Sequence, residues 1–173
     1  MINSLAGTNP VLDHVMIAIT SYGIFVLIFA DALLWWKQDQ RLAMRNACIV
    51  AGLSFLVSLA LNQILLLFVH RIRPYDAGIS DLLIAPNSDW LFPSDHATAA
   101  FAIVAALWFK GQRDVSAVFA ALATLICFSR VYVGVHYVSD IAGGAVIGGL
   151  VASLVARLYR NESWYAQRLT RIF

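Results

Sequence analysis

Long apolar stretches separated by short polar ones run through almost the whole chain, and they set the architecture. Four of them, approximately Ala47–Val69, Ala97–Phe109, Val115–Phe128 and Val138–Leu158, predict membrane-crossing helices. A hydrocarbon core of about 30 Å takes roughly 20 helical residues, so the two middle stretches need residues from their flanks. A fifth runs from about Tyr22 to Trp36. Before it, Val11–Thr20 is apolar but carries Asp13 and His14, with Pro10 suited to a helix start. That segment predicts a short interfacial or partly inserted helix, joined to the first span around Thr20-Ser21-Tyr22-Gly23. With no basic region ahead of it and no small-residue cleavage site after it, a removable signal peptide is not expected. The expectation is a single all-α integral membrane domain over residues 1–173: five transmembrane helices and an N-terminal interfacial helix.

Composition sharpens this. The 173 residues are 61% hydrophobic and 13% charged, against about 45–50% and about 25% for a soluble domain. A disordered tail, a nucleic-acid module and a disulfide-stapled secreted protein are excluded, and no nucleic-acid partner is expected. Cys48 and Cys127 lie in apolar runs without a ligand cluster and read as small buried hydrophobes. With five spans, Lys37, Arg41, Arg45, Lys110, Arg113, Arg157, Arg160, Arg168 and Arg171 fall on one side, which the positive-inside rule makes the cytoplasm. Trp35, Trp36, Trp108 and Trp164 fall near the same interface. The segment after Tyr159 reads as an amphipathic anchor on anionic lipid. Asp31, inside span one, is a functional candidate as an intramembrane acid; its place near the cytoplasmic end gives the plainer alternative that it reaches water or pairs with Lys37.

The opposite side receives only Arg71, Arg73 and Arg130 among the basic residues, and these need a reason. The longest polar stretch, Arg71–Asp95, opens with Arg73-Pro74 and closes with Pro93-Ser94-Asp95-His96. The next outer segment contains Ser129-Arg130, then His136, then Asp140. Arginine offers a planar fork of donors to phosphate oxygens. Ser94 stands where a helix N-cap is expected, so the positive end of a helix faces the same loop. Together these describe an anion site for phosphate. His136 and Asp140 are four residues apart, which would put them on one helix face, with the carboxylate holding the imidazole in one tautomer. Gly144 and Gly148 continue that face as a small-residue stripe open to a neighbouring helix. His96 supplies a second imidazole. A nucleophile, a proton donor and arginines between them make a minimum set for phosphate-ester hydrolysis through a phosphohistidine. Each of these residues alone has a bland reading as a cap, a snorkelling cation or a structural hydrogen bond. Five on one otherwise cation-poor face do not.

The three segments resemble the signature of the type 2 phosphatidic acid phosphatase superfamily: Arg-Pro preceded by Lys, Pro-Ser-Gly-His, and Ser-Arg-x5-His-x3-Asp. The third is matched in full by Ser129, Arg130, His136 and Asp140, and the motif core covers about residues 62–145. Within the superfamily the chain is similar to the bacitracin-resistance branch of undecaprenyl-diphosphate phosphatases. The resemblance implies a phosphatase/haloperoxidase-like helical bundle acting on a polyprenyl diphosphate lipid, without metal or cofactor. It implies His136 as nucleophile supported by Asp140, His96 as proton donor, and Arg73, Ser94 and Arg130 on the phosphoryl oxygens. Two departures stand out. Leu66 occupies the position of the family Lys, which Arg71 or His70 would only partly replace, and Asp95 replaces the family Gly. Asp95 is expected at the substrate site, by contact or by orienting an Arg or His96, and Arg71 against the second phosphoryl group of a diphosphate. A phosphatidic-acid or phosphatidylglycerol-phosphate phosphatase and a lipid-phosphate transporter remain the alternatives; the transporter predicts charges near the bilayer midplane.

Overall fold

The computed structural model describes residues 2–37, 41–86 and 92–159. Among them there is no strand. A short 3₁₀ turn, Ile2–Leu5, precedes five helices: α1 Pro10–Leu34, α2 Arg41–Leu66, α3 Asp95–Phe109, α4 Arg113–Tyr132 and α5 Val138–Leu158. A helix stands at each of the expected spans, but the expectation of five membrane-crossing lengths is met by four. The last has the predicted ends and α4 gains flanking residues as its length required, whereas α3 gains only Asp95 and His96 and stays shorter than a crossing takes. The amphipathic reading of the tail after Tyr159 lies outside the described residues.

The beginning differs from expectation. There is no joint around Thr20–Gly23; interfacial segment and first span are one continuous helix of 25 residues, about 37 Å long at 1.5 Å per residue. Asn9 caps it, its side chain accepting from the N–H groups of Val11 and Leu12, and Pro10 sits in the first turn. Asp13, the polar residue that argued for a break, accepts hydrogen bonds from the Tyr132 hydroxyl (2.7 Å) and the Gly7 N–H (3.2 Å). Its charge is met by the end of α4 and the turn ahead of α1, so the helix has no reason to stop.

Among the described residues four helices are long and apolar enough to cross a membrane: α1, α2, α4 and α5. At 15 residues α3 is shorter, about 22 Å, and it is the one around which the others pack. Its Ala97, Ala99, Ala100, Ala102 and Ala106 are buried almost completely. Small side chains let backbones approach closely, as membrane helices require when lipid is as apolar as the core. The closest approach is to α5. A Cβ on Gly144 would stand 2.8 Å from the Ser94 carbonyl oxygen, and one on Gly148 would stand 2.4 Å from that of Thr98. The large side chains point outward: Phe25, Phe29, Leu56, Ile64, Val118, Val146, Leu150 and Leu154 are all exposed, forming the girdle that lipid would cover.

The two ends of the bundle differ in chemistry. At one, cations stack on aromatic rings: Arg45 on Trp35 (4.9 Å), Arg113 on Trp108 (5.3 Å) and Lys110 on Tyr159 (5.3 Å). Asp31 lies near that end. It is 7% exposed, with Oδ1 buried and unpartnered and Cys48 Sγ donating to its backbone carbonyl, and among the described residues it forms no ion pair with Lys37. Both cysteines are buried thiols. The motif residues occupy the other end.

Candidate active site

Three chain segments supply the site. Arg73 comes from the loop after α2, Ser94 and His96 from the start of α3, and Arg130, His136 and Asp140 from the end of α4 through the first turn of α5. Ser94 is the N-cap of α3 by position and is completely buried. Yet its hydroxyl makes no cap bond and has no partner. Its backbone N–H donates instead to the Asp140 carbonyl at 3.3 Å, joining the starts of α3 and α5.

His136 is not on the helix face that the i, i+4 spacing suggested. It stands in the turn before α5, with Tyr137 as N-cap, and Asp140 reaches back from the first helical turn. Asp140 Oδ2 accepts the Tyr137 N–H at 2.7 Å, as the acidic member of a capping box does. His136 Nδ1 lies 3.6 Å from the same oxygen, just beyond hydrogen-bond range, and has no closer partner. The dyad is therefore assembled but slack, as catalytic pairs often are without substrate. Asp140 is wholly buried at a helix N-terminus, where a negative charge is favoured.

Two guanidinium groups face this dyad. Arg130 Nη1 donates to Thr20 Oγ1 on α1 (3.1 Å), while its Nε is buried without a partner. Arg73 is buried and directs Nη1 toward the Val135 carbonyl (3.5 Å). Arg73, Arg130, His96 and His136 are mutually close enough to act on one another electrostatically. Burial lowers the His136 pKa to about 4; the charges of Arg130 and Arg73 push the same way and Asp140 opposes them. The imidazole is neutral at physiological pH, the form that attacks an electrophile. Buried polar groups are nearly always hydrogen-bonded. Three of the five unpartnered buried side-chain atoms among the described residues, on Ser94, Arg130 and His136, belong to this one cluster. A tetrahedral oxyanion group supplies acceptors for the hydroxyl and the guanidinium.

Two expected substrate contacts are engaged elsewhere. Asp95 holds α3 to α2: its carboxylate accepts from the Asn62 and Gln63 side chains. Asn62 also donates to the Pro93 carbonyl (3.1 Å) and accepts from Thr98 (3.2 Å). With two amide donors satisfied, the carboxylate has a structural employment that the family Gly lacks. Arg71, expected to meet a second phosphoryl group, instead forms a 2.6 Å ion pair with Asp140 Oδ1. Ser129, matched within the third motif, turns its hydroxyl to the Ile126 carbonyl of its own helix (2.6 Å). Sequence reasoning passed over Thr20, Asn62, Gln63 and Tyr137. For Asn62 a signal existed: Ser54, Ser58 and Asn62 recur every four residues in an apolar helix, and all three are fully buried. Thr20 and Tyr137 carry no such signal.

The chain is similar to known proteins in sequence and in fold. The chain is 31% identical over 172 residues to the undecaprenyl-diphosphatase BcrC of Bacillus subtilis, covering 99% of this chain and 88% of that one. It is 31% identical to phosphatidylglycerophosphatase B of the same organism, covering 85% and 75%. In three dimensions it resembles the crystal structure of a transmembrane PAP2-type phosphatidylglycerolphosphate phosphatase from Bacillus subtilis. There the TM-score is 0.69 at 25% identity, over 95% of this chain and 85% of the other. The PAP2 superfamily pattern itself matches residues 47–164, from α2 past the end of α5 and through every motif segment. Motifs, helical arrangement and sequence thus agree, and the chain belongs to the PAP2 superfamily.

Proposed function

We propose that this chain hydrolyses undecaprenyl diphosphate to undecaprenyl phosphate and inorganic phosphate at the outer face of a bacterial plasma membrane. The reaction returns the lipid carrier to peptidoglycan synthesis and, by removing the lipid that bacitracin sequesters, confers resistance to it. The observation that carries the phosphatase reading is the cluster of buried, unpartnered polar atoms on Ser94, Arg130 and His136 beside Arg73. The similarity to BcrC carries the choice of substrate.

In this reading His136 Nε2 attacks the terminal phosphorus, forming a P–N bond as the bond to the bridging oxygen breaks. Undecaprenyl phosphate leaves with a proton from His96, which takes up that proton from solvent once the anionic substrate offsets the charge of Arg130 beside it. Arg73, Arg130 and Ser94 hold the three equatorial oxygens, where charge concentrates in the transition state. Asp140 stabilises the imidazolium. His96, now neutral, takes a proton from water; the hydroxide attacks phosphorus, the P–N bond breaks and phosphate is released. Every charge change is served by a side chain, so no metal is required. The outward orientation is supported by six Lys/Arg toward the stacked-cation end (Lys37, Arg41, Arg45, Lys110, Arg113 and Arg157) against three toward the site among the described residues.

The test is phosphate release by purified protein from a panel of lipid mono- and diphosphates with chelator present. Undecaprenyl or farnesyl diphosphate should turn over much faster than phosphatidic acid, because a phosphate leaving group is a weaker base than an alkoxide and needs its proton less. A preference for phosphatidic acid or phosphatidylglycerol phosphate overturns the substrate assignment. Binding without release would favour a carrier.

A further inference from the structure

Arg71 lies outside the family motif, and its contacts set it apart from the arginines of the phosphate cluster. Its Nη1 stands 2.6 Å from Asp140 Oδ1 and 2.8 Å from Ser139 Oγ. Its guanidinium stacks on the Tyr137 ring, 4.2 Å from the centroid. All three contacts lie on residues 137–140, the segment that begins α5 and follows directly on His136. The Arg71 side chain is 38% exposed while Asp140 is 0% exposed, so the cation reaches in from the rim to a carboxylate that water does not touch. Swinging Arg71 toward a substrate would leave the buried Asp140 without its ion-pair partner, which is unfavourable. The anchors therefore argue for a fixed group.

We propose that Arg71 is a positioning residue for the phosphatase reaction: it holds the Asp140 carboxylate in place and divides its charge between the guanidinium and His136. The proposal rests on the assignment of His136 as nucleophile and Asp140 as its support. Its geometric content is a division of the carboxylate. Oδ1 belongs to Arg71, and Oδ2 to the Tyr137 N–H with His136 Nδ1 at 3.6 Å. Without the bond at Oδ1, the carboxylate is free to rotate about its final torsion and lose its aim at the imidazole.

The charge content follows from everything that faces His136. Arg130 approaches from α4, Arg73 from the loop after α2, His96 from α3 and Asp140 from α5. Asp140 is the one anion among them, and Arg71 already draws on it. A carboxylate shared with a guanidinium stabilises imidazolium less than an unshared one does. Arg71 thus helps to keep His136 neutral and nucleophilic in acidic surroundings. Removing its charge raises the pH at which the imidazole takes up a proton, and so moves the acid limb of the rate profile upward.

The experiment compares kcat/KM against pH for the full-length wild type, Arg71→Gln and Arg71→Lys, on farnesyl diphosphate and on farnesyl phosphate. Substrate ionisation is common to all three enzymes and cancels in the ratio to wild type. Arg71→Gln should shift the acid limb upward by about one pH unit on both substrates, with kcat at pH 7 lowered about tenfold or more. Arg71→Lys should return the limb close to its wild-type position, because the charge is restored, while kcat stays depressed for want of the paired geometry. An unshifted limb in Arg71→Gln overturns the proposal. So does a rise in KM confined to the diphosphate, which would assign Arg71 to the second phosphoryl group. If Arg71→Gln does not fold, Arg71→Lys decides: kcat lowered with KM unchanged on both substrates supports the proposal, and no change in kcat overturns it. Activity surviving in His136→Ala would remove the underlying mechanism instead, and that arm does not involve Arg71.

Discussion

Gly148 on α5 lies so close to α3 that a Cβ would stand 2.4 Å from the Thr98 carbonyl oxygen and 2.8 Å from the Ala102 nitrogen. Both neighbours are backbone, which has no rotamer with which to yield. Gly148→Ala should therefore lever α3 away from α5, at a cost of about 1–3 kcal/mol for overpacking. Because Ser94 and His96 start α3 while Asp140 starts α5, activity should fall further than the melting temperature suggests. Gly149, with nothing within 4 Å, is the matched control: Gly149→Ala should leave both readouts near wild type. Equal behaviour of the two variants in turnover and detergent melting would contradict this packing account.

The roles within the dyad separate by kinetics. His136→Ala should abolish turnover while the melting transition persists, because positioning cannot replace an absent nucleophile. Asp140→Asn keeps the shape but not the charge, and should lower kcat by roughly 10²–10⁴-fold without reaching zero. His96→Ala should retain a larger fraction of activity on a diphosphate than on a monophosphate ester. Phosphate release from the two substrate classes checks all three.

Asn62 is a buried hub, donating to Pro93 and Asp95 and accepting from Thr98. Asn62→Leu takes the donor from the buried Pro93 carbonyl and one of the two amides from Asp95, while Thr98 keeps its bond to the Ser94 carbonyl; an unsatisfied buried group costs about 1–3 kcal/mol. A lower melting temperature and reduced activity are expected together. Gln63 reaches Asp95 from an exposed position at 3.3 Å, so Gln63→Ala should change stability by no more than about 0.5 kcal/mol. Melting of the two variants in the same detergent distinguishes hub from rim.

Stability should depend on pH through His136. Its folded pKa of about 4 lies below the ordinary 6.5, so the unfolded chain binds the proton more readily. The native state keeps its full advantage above about pH 6.5 and loses it progressively as pH falls toward about 4, roughly 3 kcal/mol in all at about 1.36 kcal/mol per unit. His136→Gln should flatten that part of the curve. Thermal melts between pH 7 and 4 provide the check; identical slopes for wild type and variant would rule it out.

Orientation is open to labelling because the two native thiols are buried. A cysteine placed at Asp81, on the active-site side, should react with an impermeant maleimide in intact cells. One placed at Gln112, beside the stacked cations, should react only after permeabilisation. The reverse pattern would turn the site toward the cytoplasm.

Hydropathy alone located α2 through α5, and charge bias alone singled out the end that carries the motifs. Both are sums over neighbouring residues, so contiguous sequence contains them. That Arg73, Arg130, His136 and Asp140 would gather at one end was legible for a related reason: an arginine, histidine or aspartate on a cation-poor membrane face has few structural uses. The partners of these residues were another matter. Arg71 meets Asp140 across 69 positions, Asn62 meets Asp95 across 33, and Arg130 meets Thr20 across 110. No local pattern specifies such pairs. They exist because α3 seats on the glycines of α5 and α1 closes over α4, bringing together ends that the sequence keeps far apart. The same closure puts Asn3 against Asp81 and the Tyr132 carbonyl and lets α1 run unbroken past Asp13, where local polarity had argued for a stop. Residue chemistry determined which groups could act on a phosphate; packing decided which partner each cation would hold, a carboxylate for Arg71, a hydroxyl for Arg130 and a carbonyl for Arg73, because such contacts depend on distance in space rather than along the chain.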